Sequence, residues 1–338
     1  MRSTAIAPSQ VAGAPWGRLP APGRRQKIAR VVIMASQGDG AAAWIEQNMD
    51  VGKVTGTKFA GGSSWSSAYI YSTSSGRQLF VKTAMGRDPE AMFRGEAEGL
   101  KAMHATHTIR VPEVFHYGAL PSPPGGGALR GSGSFIVMEY LNLRGRCDQT
   151  ELGRQLARMH LAEPQHEHAA QFGFFCDNTI GGTPQPNPWT DDWVEFFREH
   201  RLRHQLRLAG NSRLNQLAEP LLKPGALETF FQGITVRPSV LHGDLWSGNI
   251  AAVEGQPAIF DPATYFGHHE AEWGMSWCAG FGGAFWAAYH ELVPREQGFE
   301  ARADLYELYH KLNHFNLFGS GYLGDCERLL SRLVKKLK

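Results

Sequence analysis

His242-Gly243-Asp244-Leu245-Trp246-Ser247-Gly248-Asn249, followed by Pro257-Ala258-Ile259-Phe260-Asp261, is the stretch from which the rest of this 338-residue sequence can be read. Asp244 stands five residues before Asn249, and Asp261 closes a short apolar run. Phosphoryl transfer needs a carboxylate to orient the attacking hydroxyl and hard oxygen ligands to fix a divalent cation on the phosphates. Asp244 supplies the first, Asn249 and Asp261 the second. Either Asp alone would read as an ordinary turn residue. Their spacing, and the strand-like run before Asp261, make them a set.

The same spacing marks the catalytic loop of protein kinases, which predicts further parts upstream. Leu79-Phe80-Val81-Lys82 reads as an apolar strand ending in a lysine that faces a cleft, where its ammonium binds phosphate. Glu96, on the helix that follows, is placed to pair with Lys82. Glu98 competes for that role but lies about 200° away around the helix, so both cannot face the lysine. The turn from Ala60 to Ser67 would bring the backbone N–H groups around Gly61 and Gly62 over the phosphates. It does not match G-x-G-x-x-G, and a plain hairpin turn fits it equally well. Met138, Glu139, Tyr140 and Leu141 end a buried-looking strand and resemble a kinase hinge, whose backbone groups hydrogen-bond adenine.

The remaining pattern fits that arrangement. A helix is expected from Ala41 to Met49, then strands at Val51–Ala60, Ser67–Tyr71 and Gln78–Thr83. Helix Glu90–His104 follows, and after a Pro/Gly-rich loop from Ser122 to Gly133 comes strand Ser134–Tyr140. Beyond it the chain reads as chiefly helical, at Asp148–His160, Asp191–Ala209, Ser212–Leu222 and Arg302–Phe318. Phe172–Trp189 is irregular and Val240–Phe260 is β-rich. The expected fold class is α+β, a protein-kinase-like two-lobe fold with a small antiparallel-sheet N-lobe (residues 41–142) and a mainly helical C-lobe (residues 143–338).

Composition narrows the alternatives. Hydrophobic residues at 42% and charged residues at 20% allow a sizeable core. A net charge of +2 argues against a dedicated nucleic-acid binder. No apolar run approaches the roughly 20 residues of a membrane span; the longest, Ala279 to Tyr289, is interrupted by glycines. Cys147, Cys176, Cys278 and Cys326 show no paired spacing, so neither a zinc ribbon nor a disulfide framework is expected. The histidine pairs, His104/His107, His166/His168 and His268/His269, lack metal-ligand spacing and read as surface or satisfied residues. Trp193–Phe197 and Trp273–Trp277 read as C-lobe core. Residues 1–34 are basic, with no acidic residue before Asp39, and lack the apolar core of a secretory signal. They read as an organelle transit peptide, with a plain disordered tail as the other reading.

With these elements in hand, the chain resembles the fructosamine (ketosamine 3-) kinase family from about Ala41 to its end. The resemblance rests on HGDLWSGN, Asp261-Pro262-Ala263 and Phe80-Val81-Lys82. It extends to Met92–Leu100, Phe172-Gly173-Phe174, Asn178–Gly181, Pro184–Trp193 and Arg201-Leu202. The segment Glu270–Gly282 resembles the plant and algal branch. The resemblance implies ATP- and Mg²⁺-dependent phosphorylation of the 3-hydroxyl of ribulosamines or fructosamines on protein lysines, leading to deglycation. By position, Asp244 is the base, Asn249 and Asp261 are metal ligands, and Lys82 with Glu96 positions the phosphates. Trp246 is a wall for the sugar, or else core. The resemblance further implies chloroplast targeting, with mitochondrial or cytoplasmic location as alternatives. Expected partners are glycated proteins or free ketosamines, with no nucleic acid or membrane, in a monomer or weak dimer. Many members carry a loop cysteine that links protomers; Ser63 and Ser64 stand there here, which puts such redox control in doubt. A small-alcohol kinase of the aminoglycoside or choline type and a nucleotide-binding pseudokinase scaffold are the competing readings.

Overall fold

A computed structural model describes residues 40–85, 89–121 and 133–337. The expected tail at 1–34 and nearly all of the Pro/Gly-rich loop lie outside these residues. Helix α1 (40–48) precedes a five-stranded antiparallel sheet. Its strands are β1 (Val54–Gly62), β2 (Ser67–Thr73), β3 (Gln78–Met85), β4 (Val114–Ala119) and β5 (Gly133–Glu139), in the order β1-β2-β3-β5-β4. Helix α2 (Pro89–His104) joins β3 to β4.

Alternation along β3 decides which side chains reach the cleft. Leu79 and Val81 turn to the back of the sheet, where they pack with Ile45 of α1, Tyr71, Phe135 and Val137. Phe80, Lys82 and Ala84 turn the other way, toward α2 and the second lobe. Lys82 is interior to the strand rather than at its end, opposite Ala68 of β2 and Ile136 of β5. The strand expected at Gln78–Thr83 runs on through Ala84 to Met85. Strand β4 was not expected at all: Val-Phe-His-Tyr-Gly-Ala is half-buried nearly throughout and shows no two-residue alternation.

The second lobe is mostly helical. Helix α3 (Gln149–Leu161) starts at an Asp148 cap, whose carboxylate accepts the Glu151 N–H at 2.8 Å. The irregular stretch holds a small hairpin, β6 (Asn178–Ile180) and β7 (Thr183–Gln185). Helices α4 (Trp193–Phe197) and α5 (His204–Ala209) are joined by one π-helical turn, Arg198–Arg203, where the sequence suggested an unbroken helix. Helix α6 (Ser212–Ala218) follows. Strands β8 (Ser239–Leu241), β9 (Ile250–Val253), β10 (Gln256–Ile259) and β11 (Tyr265–Gly267) carry the quoted motif, as two hairpin-like pairs. Helices α7 (Ser276–Ala279), α8 (Gly283–Leu292), α9 (Phe299–Phe318) and α10 (Leu323–Lys336) complete the lobe. Of these, α7, α8 and α10 were missed. Glycines at the entry to α8 masked it, whereas the apolar stripe of α10 was there to be read. Its Leu329, Leu330 and Leu333 are fully buried, each worth about 1.5–3 kcal/mol. Among the described residues no helix is long and apolar enough to cross a membrane.

The seat of α2 sets the geometry of the cleft. A Cβ on Gly95 would lie 2.4 Å from the Asn178 Cβ, and one on Gly99 would lie 2.8 Å from the Thr264 hydroxyl. Two glycines one turn apart therefore let the helix rest directly on β6 and on the segment after Asp261. Glu96 lies between them in sequence and is carried by the same seat.

Candidate active site

The motif loop leaves β8 and turns at Gly243, whose φ of +79° is left-handed. A Cβ there would fall 2.2 Å from the Ala263 carbonyl, so only glycine fits. The His242 carbonyl accepts the Ala263 N–H at 2.9 Å, tying this loop to the one that follows Asp261. His242 is buried and donates from Nε2 to the Phe260 carbonyl at 2.8 Å. That bond leaves Nδ1 bare, and it accepts the Asp244 N–H at 3.2 Å. Burial lowers the imidazole pKa, so the ring is a neutral bracket rather than a charge.

Asn249 closes the loop. Its side-chain nitrogen donates to the carbonyls of Asp244 at 2.9 Å and of Asp261 at 3.3 Å. The amide oxygen remains as the atom to offer to a cation. Asp261 itself holds a left-handed φ of +58°, which Asp tolerates better than most residues. Its carboxylate meets the Lys82 ammonium, which also donates to Glu96 Oε1 at 2.6 Å. Burial works against the Lys82 charge, yet the two carboxylates outweigh it and raise its pKa. Glu98 pairs with Lys101 instead, as the helical angle required. The Asp244 carboxyl is pushed up to about 7, first by enclosure and then by the charges of Asp261 and Glu272.

These groups line one cavity of about 410 Å³ between the lobes, with Gly61, Gly62, Ser63, Trp65, Phe80, Thr179 and Trp246. Trp246 forms part of this wall and lies folded over Gly248, so it is not core. Gly61 and Gly62 border the same space. In the turn beside them the Ser63 hydroxyl accepts the N–H groups of Trp65 at 3.3 Å and Ser66 at 3.1 Å. Two of the amides expected to face phosphate are thus engaged within the loop.

The expected hinge lies at the end of β5. Met138, Glu139, Tyr140 and Leu141 do not line the cavity. The Met138 side chain is in the core, and the Glu139 N–H donates to the Glu113 carbonyl while its carboxylate is held by Arg110. One smaller expectation shifts: Trp277 is 44% exposed rather than core, with the Lys311 ammonium 3.3 Å from its ring centre. His268 is buried with Nδ1 satisfied by the Tyr306 hydroxyl at 2.7 Å, and nearby Glu270 is clasped by Arg302 at 2.6 and 2.7 Å.

Several supporting residues carried no sequence signal of their role. Glu272, fully buried, accepts the N–H of His242 at 2.6 Å and of Gly243 at 2.9 Å. It also meets His160 Nε2 at 3.3 Å, while His160 Nδ1 is held by the Tyr289 hydroxyl at 2.8 Å. Burial alone would raise the Glu272 pKa, but the bond from His160, the nearby imidazoles and the Gly243 amide hold it below the usual range. Asn178 and Gln185 donate to the carbonyls of Thr264 and Ala263 at 2.7 and 3.1 Å, bracing the segment after Asp261. Arg201, fully buried, donates to Asn187 at 2.6 Å and to the Pro186 carbonyl at 2.8 Å. Glu272→Gln would present an amide N–H to one of two backbone donors. Hydrogen bonds to a charged group are worth about 1.5–3 kcal/mol, so kcat is expected to fall about 10- to 100-fold with the KM for ATP little changed. Steady-state kinetics of the purified variant would check it; an unaltered kcat would show that Glu272 does not brace the loop.

A two-lobed fold whose cleft gathers a lysine, a helical glutamate, and an Asp/Asn/Asp set defines a kinase-like phosphotransferase architecture. The chain belongs to the fructosamine kinase family, whose family model matches residues 39–336. It is 46% identical over 321 residues to a chloroplastic protein-ribulosamine 3-kinase of Oryza sativa subsp. indica, covering 93% of this chain and 89% of that one. A Thermobifida fusca structure provisionally designated fructosamine-3-kinase superposes with a TM-score of 0.72 at 29% identity, covering 87% of this chain and 98% of that one. The aminoglycoside phosphotransferase APH(4)-Ia, solved with AMP-PNP and hygromycin B, shares the fold at a TM-score of 0.56 and 15% identity, covering 88% and 98%.

Proposed function

We propose that this chain is an ATP- and Mg²⁺-dependent kinase of ketosamines. It phosphorylates the sugar 3-hydroxyl of ribulosamine, and of fructosamine as a second substrate, on protein lysines. The single observation behind this reading is that Lys82 of the N-lobe sheet borders one cavity between the lobes with Asp244, Asn249 and Asp261, which lie far from it in sequence. Family membership and the 46% identity to a ribulosamine kinase favour a ketosamine over an antibiotic or choline as acceptor.

In this reading Asp244 accepts the proton of the attacking hydroxyl, and its carboxyl, poised near 7, suits a base at neutral pH. Lys82, steadied by Glu96, holds the phosphates, with Gly61 and Gly62 beside them. Asn249 through its amide oxygen and Asp261 through its carboxylate would hold the metal; both are hard oxygen donors bordering the cavity, which fits Mg²⁺. Mg²⁺, when bound, neutralises the charge developing on the transferred group. Trp246 offers an apolar face to the sugar ring. The 3-phosphate product is unstable and releases the amine, which amounts to deglycation. The basic, acid-free residues 1–34 and the chloroplastic relatives support a plastid location. They also support a targeting segment ahead of an N-lobe at 41–142 and a C-lobe at 143–338.

A Mg²⁺-ATP assay with ribulosyl-lysine, fructosyl-lysine, choline and an aminoglycoside tests the proposal. Turnover is expected with the two ketosamines, ribulosyl-lysine the faster, and excess EDTA should abolish it. Turnover confined to choline or the aminoglycoside, or undiminished in EDTA, would overturn it.

A further inference from the structure

The glycine-rich turn is otherwise exposed at its tip, yet Trp65 within it is half-buried. The indole reaches across the cleft to the turn between β6 and β7. A Cβ placed on Gly182 would have as its three nearest neighbours atoms of the Trp65 ring, at 3.1, 3.4 and 3.7 Å. One on Gly181 would meet the same ring at 3.4 Å and Leu317 of α9 at 3.1 Å. The ring therefore lies close against two residues that have no side chains, in a seat that an added Cβ would crowd. It also stands between two spaces. Trp65, Met92, Thr179 and Gly181 line both the cavity holding Lys82, Asp244 and Asp261 and a neighbouring one that reaches Met85, Pro89 and Asp177.

We infer that Trp65 is a positioning residue that latches the loop Gly61–Ser66 of the N-lobe onto Gly181–Gly182 of the C-lobe, holding the loop over the phosphate end of the cavity. The inference rests on the kinase reading of that cavity. The loop's own bonds, those made by Ser63, stay within the turn, and the β1–β2 pairing ties its base only to the N-lobe sheet. The indole adds a tie to the C-lobe. It acts through the loop, not by contact with the reacting atoms. A free loop would have to be ordered by the nucleotide, and apparent affinity would fall by the fraction of time the loop is seated.

The test is a double-mutant cycle on the full chain, with Trp65→Ala, Gly182→Val, the double variant and Trp65→Phe. The readouts are kcat, the KM for ATP, binding of a fluorescent ATP analogue, and melting temperature. Trp65→Ala is expected to raise the KM for ATP and the analogue Kd about tenfold, the loss expected if the seated fraction falls to about one in ten. Its melting temperature should stay close to wild type. Trp65→Phe should restore most of the affinity. Gly182→Val should reproduce the defect alone and add nothing to Trp65→Ala, since its bulk then meets no ring. Unchanged KM and Kd in Trp65→Ala would overturn the inference, as would additive effects of the two substitutions. A fall in melting temperature that Trp65→Phe does not repair, without a change in KM, would equally overturn it. Absence of turnover and analogue binding in wild type would instead sink the kinase reading beneath it.

Discussion

Asp244→Asn is expected to bind nucleotide and to transfer phosphate at least 10²–10⁴-fold more slowly than wild type, the usual worth of a positioned general base. The substitution is clean because the backbone of Asp244 is held without its carboxylate. Its N–H is bonded to His242 and its carbonyl to the Asn249 amide. The loop should therefore keep its shape. A second readout follows from the carboxyl being pushed up to about 7. A folded-state pKa above the unfolded value means the native form binds the extra proton, so stability drains away as pH rises from about 4 to about 7. The neutral Asn escapes that loss. The ligand-free variant should melt above wild type at pH 8, and the gap should close toward pH 4. Turnover near the wild-type rate, measured with ribulosyl-lysine, would remove Asp244 from the mechanism.

Lys82→Met should cost both rate and fold. The ammonium sits between Glu96 and Asp261 with its side chain only 11% exposed. Removing one partner of a buried ion pair typically destabilises by about 3–5 kcal/mol, because the remaining charge is left unpaired. Part of that is recovered if Glu96 takes up a proton, so the melting temperature should fall less at pH 5 than at pH 8. Loss of a preorganised charge at the phosphates costs about 10²–10³-fold in kcat in comparable sites. Lys82→Met/Glu96→Gln should regain much of the stability while staying inactive. If the double variant melts as low as the single one, the pair is not what holds this corner together.

Much of the site was legible because phosphoryl transfer imposes residue types at fixed separations. Asp244, Asn249 and Asp261 are close in sequence, and Lys82 follows from strand alternation once a kinase-like frame is adopted. Helical angle said that Glu96 and Glu98 could not both face Lys82, and the structure gives the place to Glu96. What could not be read was whatever depends on where backbone groups end up. At the expected hinge, Met138–Leu141, nothing in the sequence tells that the Glu139 N–H is bonded to the Glu113 carbonyl. Glu272 was hidden because a glutamate serving two backbone amides of a distant loop has no spacing rule. Trp65 looked like any aromatic in a Gly/Ser turn, since its partner is a pair of glycines more than a hundred residues away. In the fold, β4 lacked alternation and α8 was obscured by its glycines, whereas α10 carries a plain amphipathic pattern.

Gly95 and Gly99 press α2 against β6 and the Thr264 segment at two successive turns, with no side chain to act as a spacer. Kinases governed by signals commonly toggle by rocking the equivalent element outward, which separates its glutamate from the lysine. Here the glycine seat holds that element inward, and the lysine–glutamate pair that the chemistry needs is already formed without nucleotide.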